Sequence, residues 1–291
     1  LVHVQPGVRL CDLAADALEH DLMYPPDPGE KTGSLGGNVS TNAGGMRAVK
    51  YGTTRDYVLA MTVVLPNGQI LELGRSVTKT SSGYSLLHLM IGSEGTLGVI
   101  TELTLKLIPN PKEDISFILP FADIDAAISA VPKIKLAGLS PQSIEFMERD
   151  IVDSSANYTG NKIIPTVIDG KEAGAYILVT LDGNDQDEIF QRAETLAEIG
   201  DEIGAYDTLV LSHPADKRAV WEARSAFLTV IEAETDLIDE MDVVVPVDKI
   251  PTFLEYAHEI GDKYEVRIRS FGHAGDGNLH IYCCANDMDE A

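Results

Sequence analysis

Basic residues are scarce in this sequence. Lysine and arginine number 22 against 46 aspartates and glutamates, a formal net charge of −24. That balance argues against nucleic acid and anionic membrane surfaces as partners, because both are held by clustered cations. The acidic residues are dispersed, as over Asp182 to Glu202, and read as solvated helix faces. Cysteine is scarcer still. Cys11, Cys283 and Cys284 contain no C-x-x-C pair, so no zinc or iron–sulfur framework is visible. Reduced thiols in a cytoplasmic protein are the simplest reading, with a peripheral membrane association left open. No apolar run approaches the roughly 20 residues that span a bilayer, no signal peptide is visible, and no G-x-G-x-x-G nicotinamide fingerprint occurs. An initiator methionine is also lacking, and Leu1 to Gln5 reads as the middle of a strand. A chain trimmed at both ends is the expectation.

The length, 291 residues, suits two domains of ordinary size. Glycine is concentrated in one place: Gly33 to Gly45 holds five glycines, small polar residues and no charge. Without a Cβ, such a segment brings backbone N–H groups close to a phosphate or a polar cofactor. A flexible linker is the alternative. The stiff entry Pro25-Pro26-Asp27-Pro28 and the exit Lys50-Tyr51-Gly52 favour a ligand cradle.

Along the chain, Val2 to Gln5 predicts a strand, and Leu10, Leu13, Ala14, Ala17 and Leu18 mark one helical stripe. Tyr57 to Leu65 and Gln69 to Leu73 predict a hairpin across Pro66-Asn67-Gly68. Ser85 to Met90 suggests a short helix. Gly92 to Ile100 is a second glycine-spaced loop that enters the strand Thr101 to Leu107. Pro109 to Asp114 breaks the pattern and predicts a boundary, with domains at 1–109 and 110–291. Beyond it, strands are expected at Ile115 to Pro120, Ser143 to Met147, Tyr176 to Leu181, Thr208 to Leu211, Val243 to Val245, Val266 to Phe271 and Asn278 to Cys284. Helices are expected at Asp123 to Val131, Asp185 to Ile203, Pro214 to about Glu234, and Asp248 to Lys263 capped by Asp248. A sheet with helices on one face fits this alternation.

A second chemical constellation is Gly272-His273-Ala274-Gly275-Asp276-Gly277-Asn278-Leu279-His280. Its turn could fold His273 and His280 towards one point, where imidazole suits Zn²⁺, Fe²⁺ or Mn²⁺. A hairpin with two incidental histidines is equally open. Arg224, in Trp221-Glu222-Ala223-Arg224, is a candidate carboxylate anchor. Taken alone, a surface ion pair with Glu222 or Glu232 is the simpler reading. Arg267 and Arg269 make one strand face basic and carry no assignment.

The proline entry, the run Gly36 to Gly45, Tyr51-Gly52 and Glu94 to Thr101 resemble the FAD-binding domain of the vanillyl-alcohol oxidase / p-cresol methylhydroxylase superfamily. The Trp221 to Arg224 and His273 to His280 segments resemble its D-2-hydroxyacid dehydrogenase branch, with the glycolate oxidase GlcD subunit and D-lactate dehydrogenases. The resemblance covers nearly the whole chain. It implies an α+β fold: the second half of a PCMH-type FAD-binding domain, then a cap domain with an antiparallel sheet covered by helices. It implies FAD contacts from Pro26, Asp27, Thr32, Gly36, Gly37, Asn38, Thr41, Asn42, Ala43, Gly44, Gly52, Glu94, Gly95, Thr96, Gly98, Val99 and Ile100. It also implies a divalent metal on His273 and His280, completed by a Glu-His-Gly segment beyond Ala291. The resemblance also implies that the chain begins after the family's first FAD subdomain. Relatives acting on 2-hydroxyglutarate carry a lysine in the segment matching Asp239 to Val245, where this chain has Glu240 and Asp242. That difference points to D-lactate or glycolate.

The expected activity is oxidation of a D-2-hydroxy acid to the 2-oxo acid, with Arg224, Asn278 and His280 as catalytic residues. The expected electron acceptor is an electron-transfer flavoprotein, an iron–sulfur subunit or a quinone, and oligomeric state is open. The rivals are another FAD oxidase or synthase of the superfamily, a non-catalytic electron-relay subunit, and a metallohydrolase.

Overall fold

The computed structural model describes residues 1–77 and 79–286. It divides into two compact units, Leu1–Asn110 and Pro111–Ala291. The end of the expected second domain, 287–291, lies outside the described residues.

In the first unit, β1 (Val2–Val4) leads to α1 (Leu10–Glu19), whose Leu10, Leu13 and Ala17 are buried at helical spacing. Then come α2 (Leu35–Thr41), β2 (Val58–Val64), β3 (Ile70–Gly74), α3 (Leu86–Met90) and β4 (Val99–Leu105). The four strands form an antiparallel sheet in the order β1-β4-β2-β3. The β2–β3 hairpin turns at Pro66-Asn67-Gly68, as the Asn-Gly signal predicts. Leu35 and Val39 of α2 join Leu10, Met61, Leu87, Leu103 and Leu105 in one core.

The glycine-rich segment is therefore not a loop throughout. Ser34 caps α2 by accepting from the Gly37 N–H at 3.1 Å, and Asn42 ends it in the left-handed region at φ 52°. Two glycines weaken a helix by about 1 kcal/mol each. Leu35 and Val39, one turn apart and both fully buried, offset that cost.

The second unit is built on a seven-stranded antiparallel sheet. Its elements are β5 (Glu113–Phe121), α4 (Ile124–Leu136), β6 (Ser143–Glu148), α5 (Arg149–Thr159), β7 (Ala175–Gly183), α6 (Gln186–Ile203) and β8 (Leu209–Leu211). They continue with α7 (Pro214–Ser225), α8 (Phe227–Glu234), β9 (Leu237–Val244), α9 (Ile250–Tyr264), β10 (Arg267–His273) and β11 (Asn278–Ala285). The strand order is β8-β5-β7-β6-β10-β11-β9. Asp123 and Asp185 cap α4 and α6 with their side chains.

Helices cover both faces, not one. Helices α4, α6 and α9 pack on Phe117, Leu119, Phe146, Ile177, Val179 and Ile281. On the opposite face, α5, α7 and α8 pack on Ile118, Met147, Tyr176, Leu178, Phe271 and Tyr282. Two-sided burial explains why β5 and β7 read as nearly unbroken apolar runs. Further departures from the sequence reading are local. Helix α5 was not anticipated. The helix expected over Pro214 to Glu234 is two helices meeting at Ala226. Arg224 on one and Phe227 on the other are both buried. Asp248 does not cap α9: a 3₁₀ turn at Val247–Lys249 precedes it, and Lys249 stands at its N-terminus without a side-chain cap. Strand β9 is longer than the expected Val243 to Val245 because all of Leu237–Val244 pairs with β11. Among the described residues, no helix is long and apolar enough to cross a membrane.

Candidate active site

Strand alternation gathers the chemistry of the second unit on the α5–α7–α8 face. Leu279 and Ile281 of β11 point to the opposite core, so His280 and Tyr282 point here. The β10–β11 register sets Phe271 opposite His280, and the β9–β11 register sets Asp242 opposite His280 and Glu240 opposite Tyr282. On the other flank of β10, Phe271 pairs with Met147 and Gly272 with Phe146, which carries His273 to Glu145. The tight turn between β10 and β11 requires Gly277: its φ is +87°, and a Cβ there would lie 2.2 Å from the Val245 carbonyl oxygen.

At the centre is Glu145, a carboxylate of 0 % exposure. It accepts from Arg224 Nη2 at 2.7 Å and sits 2.8 Å from His273 Nδ1. Arg224 descends from α7, is 6 % exposed, and stacks 4.5 Å from the Phe271 ring centroid and 5.4 Å from that of Phe227. Its Nε is buried and has no hydrogen-bond partner among the described residues. The same is true of His280 Nδ1, which lies 3.3 Å from Glu240 Oε1 without forming a hydrogen bond. Two buried polar atoms without partners on one surface are costly unless a ligand satisfies them.

Electrostatics separates the two histidines. Burial alone would raise the Glu145 carboxyl, but the charges of His273 and Arg224 outweigh it and hold it below the ordinary value. Burial likewise opposes protonation of His273, yet Glu145 wins and raises it. His280 is pushed down by burial first and by cationic His273 second, so its neutral form is favoured.

The surface pair expected for Arg224 with Glu222 or Glu232 is replaced by the buried contact to Glu145. Asn278 spends its amide N–H groups on Asp242 Oδ1 at 2.5 Å and the Val243 carbonyl at 3.1 Å. His273 and His280 do come together, with ring centroids 5.4 Å apart and edge to face. The divalent metal expected on them has no complete site here: among the described residues no three His, Cys, Asp or Glu side chains form a group able to hold an ion, and its completing segment was expected beyond Ala291. Glu145 engages His273 Nδ1 and leaves Nε2 free. Glu145 was missed because the expected strand Ser143 to Met147 carried no local sign that both its faces are covered. The apolar runs of β5 and β7 were the available sign that this sheet is buried on both sides.

In the first unit, the expected cofactor segments adjoin. The N–H groups of Gly92 and Glu94 donate to the carbonyls of Val39 and Ser40 at 3.0 and 2.8 Å, joining the end of α2 to the second glycine loop. Asn42 Oδ1 accepts from the Arg55 N–H at 2.9 Å, and the Ala43 carbonyl accepts from the Thr54 hydroxyl at 2.8 Å, tying in the segment after Gly52. Gly45, at φ +121°, packs so closely on the Asp27 carbonyl that a Cβ would lie 2.1 Å from it, which brings in the proline segment. The picture of free amides needs correcting, however. The N–H groups of Gly36, Gly37, Asn38, Asn42 and Ala43 all donate within the chain. The surface left open is made by Thr32, Gly37, Thr41 and the run Glu94 to Thr96, all exposed.

Residues 110–291 match the family described as FAD linked oxidases, C-terminal domain. The chain belongs to the FAD-linked oxidases. Residues 1–74 match the FAD binding domain family, so the second half of the expected cofactor domain and the cap that follows it are both present. This FAD-linked oxidase is 55 % identical to a D-lactate dehydrogenase of Anaerostipes hadrus, over 100 % of this chain and 61 % of that one. It is 36 % identical to the glycolate oxidase subunit GlcD of Bacillus subtilis, over 96 % of this chain and 58 % of that one. It thus spans about three-fifths of the length of these relatives. The fold is shared with p-cresol methylhydroxylase at a TM-score of 0.74 and 15 % identity, covering 98 % of this chain and 62 % of the other.

Proposed function

We propose that this FAD-linked oxidase converts a D-2-hydroxy acid, D-lactate or glycolate, to the 2-oxo acid. The observation that carries this reading is the buried, unpartnered Nε of Arg224 beside the unpartnered Nδ1 of His280. The similarity to a D-lactate dehydrogenase supports the substrate class.

Arg224 binds the substrate carboxylate through its free N–H edge, while Glu145 fixes the far side of the guanidinium. His280, favoured neutral, accepts the hydroxyl proton on its imidazole. The Cα hydrogen leaves with its electron pair as the C–O bond becomes a carbonyl. FAD, when bound by the first unit, supplies the hydride acceptor. Asn278 acts indirectly, by holding Asp242 beside His280. Glu240 and Asp242 flank His280 with negative charge, which disfavours the distal carboxylate of an acid such as 2-hydroxyglutarate and favours small 2-hydroxy acids. Electrons then pass to an electron-transfer flavoprotein, an iron–sulfur subunit or a quinone.

The test is anaerobic bleaching of the flavin by a panel of D- and L-2-hydroxy acids. D-lactate or glycolate bleaches it, and D-2-hydroxyglutarate does so far more slowly. A flavin that no hydroxy acid reduces would turn the reading into that of an electron-relay subunit, and bleaching by L-acids alone would overturn the stereochemistry.

A further inference from the structure

Glu145 has no place in the sequence reading, yet it is the most deeply buried charge of the site. We infer that Glu145 is a positioning residue: it locks Arg224 and His273 into one unit so that the guanidinium presents its Nε edge to a substrate carboxylate. The inference rests on the function proposed above.

Three observations carry it. First, Glu145 spends its carboxylate on two side chains from different elements, Arg224 on α7 and His273 on β10. Second, its own strand leaves it no freedom. Ile144 and Phe146 on either side are buried in the opposite core, so the pleat fixes the direction of Glu145. Third, the pairing is lopsided on the arginine. Nη2 is taken by Glu145, the flat face lies on Phe271, and Nε is left with no partner among the described residues. A guanidinium held through Nη2 and stacked on an aromatic ring keeps donors that Glu145 does not take, Nε among them, for a bidentate anion. A carboxylate placed only to pair with Arg224 has no need of a second partner. Here the second partner is the histidine whose ring meets His280 edge to face. Glu145 therefore sets the distance between the carboxylate anchor and the proton acceptor without touching substrate.

The variants are Glu145→Gln, Glu145→Asp and Arg224→Lys in the FAD-loaded protein. Gln keeps the volume and one acceptor oxygen, but its amide NH₂ cannot accept from a second N–H. Asp keeps the charge but is one methylene short of spanning both partners. Three readouts are taken: the kcat and KM for D-lactate, the dissociation constant of oxalate for the oxidised protein, and the unfolding midpoint. We expect both Glu145 variants to lose at least tenfold in kcat, to bind oxalate at least fivefold more weakly, and to keep a cooperative unfolding transition. In the double variant with Arg224→Lys, the loss is no greater than in Arg224→Lys alone, because Glu145 acts through Arg224. A merely structural Glu145 gives the opposite pattern: a lowered midpoint, kcat and oxalate affinity unchanged in the folded protein, and additive losses in the double variant. If Arg224→Lys itself leaves oxalate binding and turnover intact, the proposed function fails. If Arg224→Lys is impaired and Glu145→Gln is not, only the positioning role fails.

Discussion

Two arginines stand buried on the same face of the same sheet, and they are used in opposite ways. Arg269 on β10 is fully buried and has every corner of its guanidinium occupied. Nε donates to Asp150 at 2.9 Å, Nη1 to Glu234 at 2.8 Å, and Nη2 to the Ser154 hydroxyl. Those partners lie on α5 and α8, so Arg269 fastens two helices to the sheet. Arg224 is nearly as buried but has one carboxylate, two aromatic faces and an unsatisfied Nε. A completed network is structure, because desolvating a charge is tolerable only when its hydrogen bonds are replaced. An incomplete network at equal depth is a binding site waiting for its last partner. The difference between the two arginines, rather than the presence of either, is the ground for proposing Arg224 as the substrate anchor.

That contrast can be broken by substitution. The largest effect is expected for Arg224→Met. It removes the carboxylate anchor and strands Glu145, and kcat/KM for D-lactate falls by roughly 10³-fold, the effect of about 4 kcal/mol. Arg269→Met comes next and acts on a different quantity. Unfolding stability drops by about 3 kcal/mol in denaturant titration, the low end for a broken buried pair. The low end applies because the side chains of Asp150 and Glu234 are 44 % and 34 % exposed and can rehydrate. The kcat/KM of the folded fraction should change by less than about threefold. A loss of turnover in Arg269→Met with stability intact would erase the distinction. Phe271→Leu sharpens it further. The ring stacks on Arg224, Tyr282 and His280, and its loss should raise the KM about tenfold, with about 1–2 kcal/mol of stability.

The smallest effect concerns the other face of the sheet, where His258 on α9 meets Glu148, 3.1 Å away. The hydrogen bond to Glu148 is the main reason the imidazole is raised above its ordinary 6.5. Because the folded value exceeds the unfolded one, this contact stabilises fully below about pH 6.5 and is lost as pH rises through the folded value. His258→Gln should flatten that slope in unfolding midpoints measured from pH 5.5 to 8.5, and leave turnover unchanged. An unaltered slope would assign the pH dependence to other groups.

Much of this was legible in the residues. The Asn-Gly hairpin, the helix that starts after Asp123 and the alternation of strands and helices follow from local chemistry, and the structure has them. What was not legible depended on the far side of the sheet. Nothing local in the expected strand Ser143 to Met147 says that α7 covers one of its faces and makes Glu145 a buried ion. Arg269 was indistinct from Arg267 for the same reason: one is fully buried and its neighbour on the same strand face is exposed. The glycine-rich segment misled in the other direction. Glycine content spoke for a loop, while the Ser34 cap and the burial of Leu35 and Val39 make part of it a helix.

The most direct measurement is titration of oxalate into the oxidised, FAD-loaded protein carrying Arg224→Lys or Arg269→Lys. Oxalate binding should weaken at least tenfold in the first and stay within twofold of the unsubstituted protein in the second. Equal affinities in the two variants, or a loss confined to Arg269→Lys, would contradict the assignment of the unsatisfied arginine as the substrate anchor.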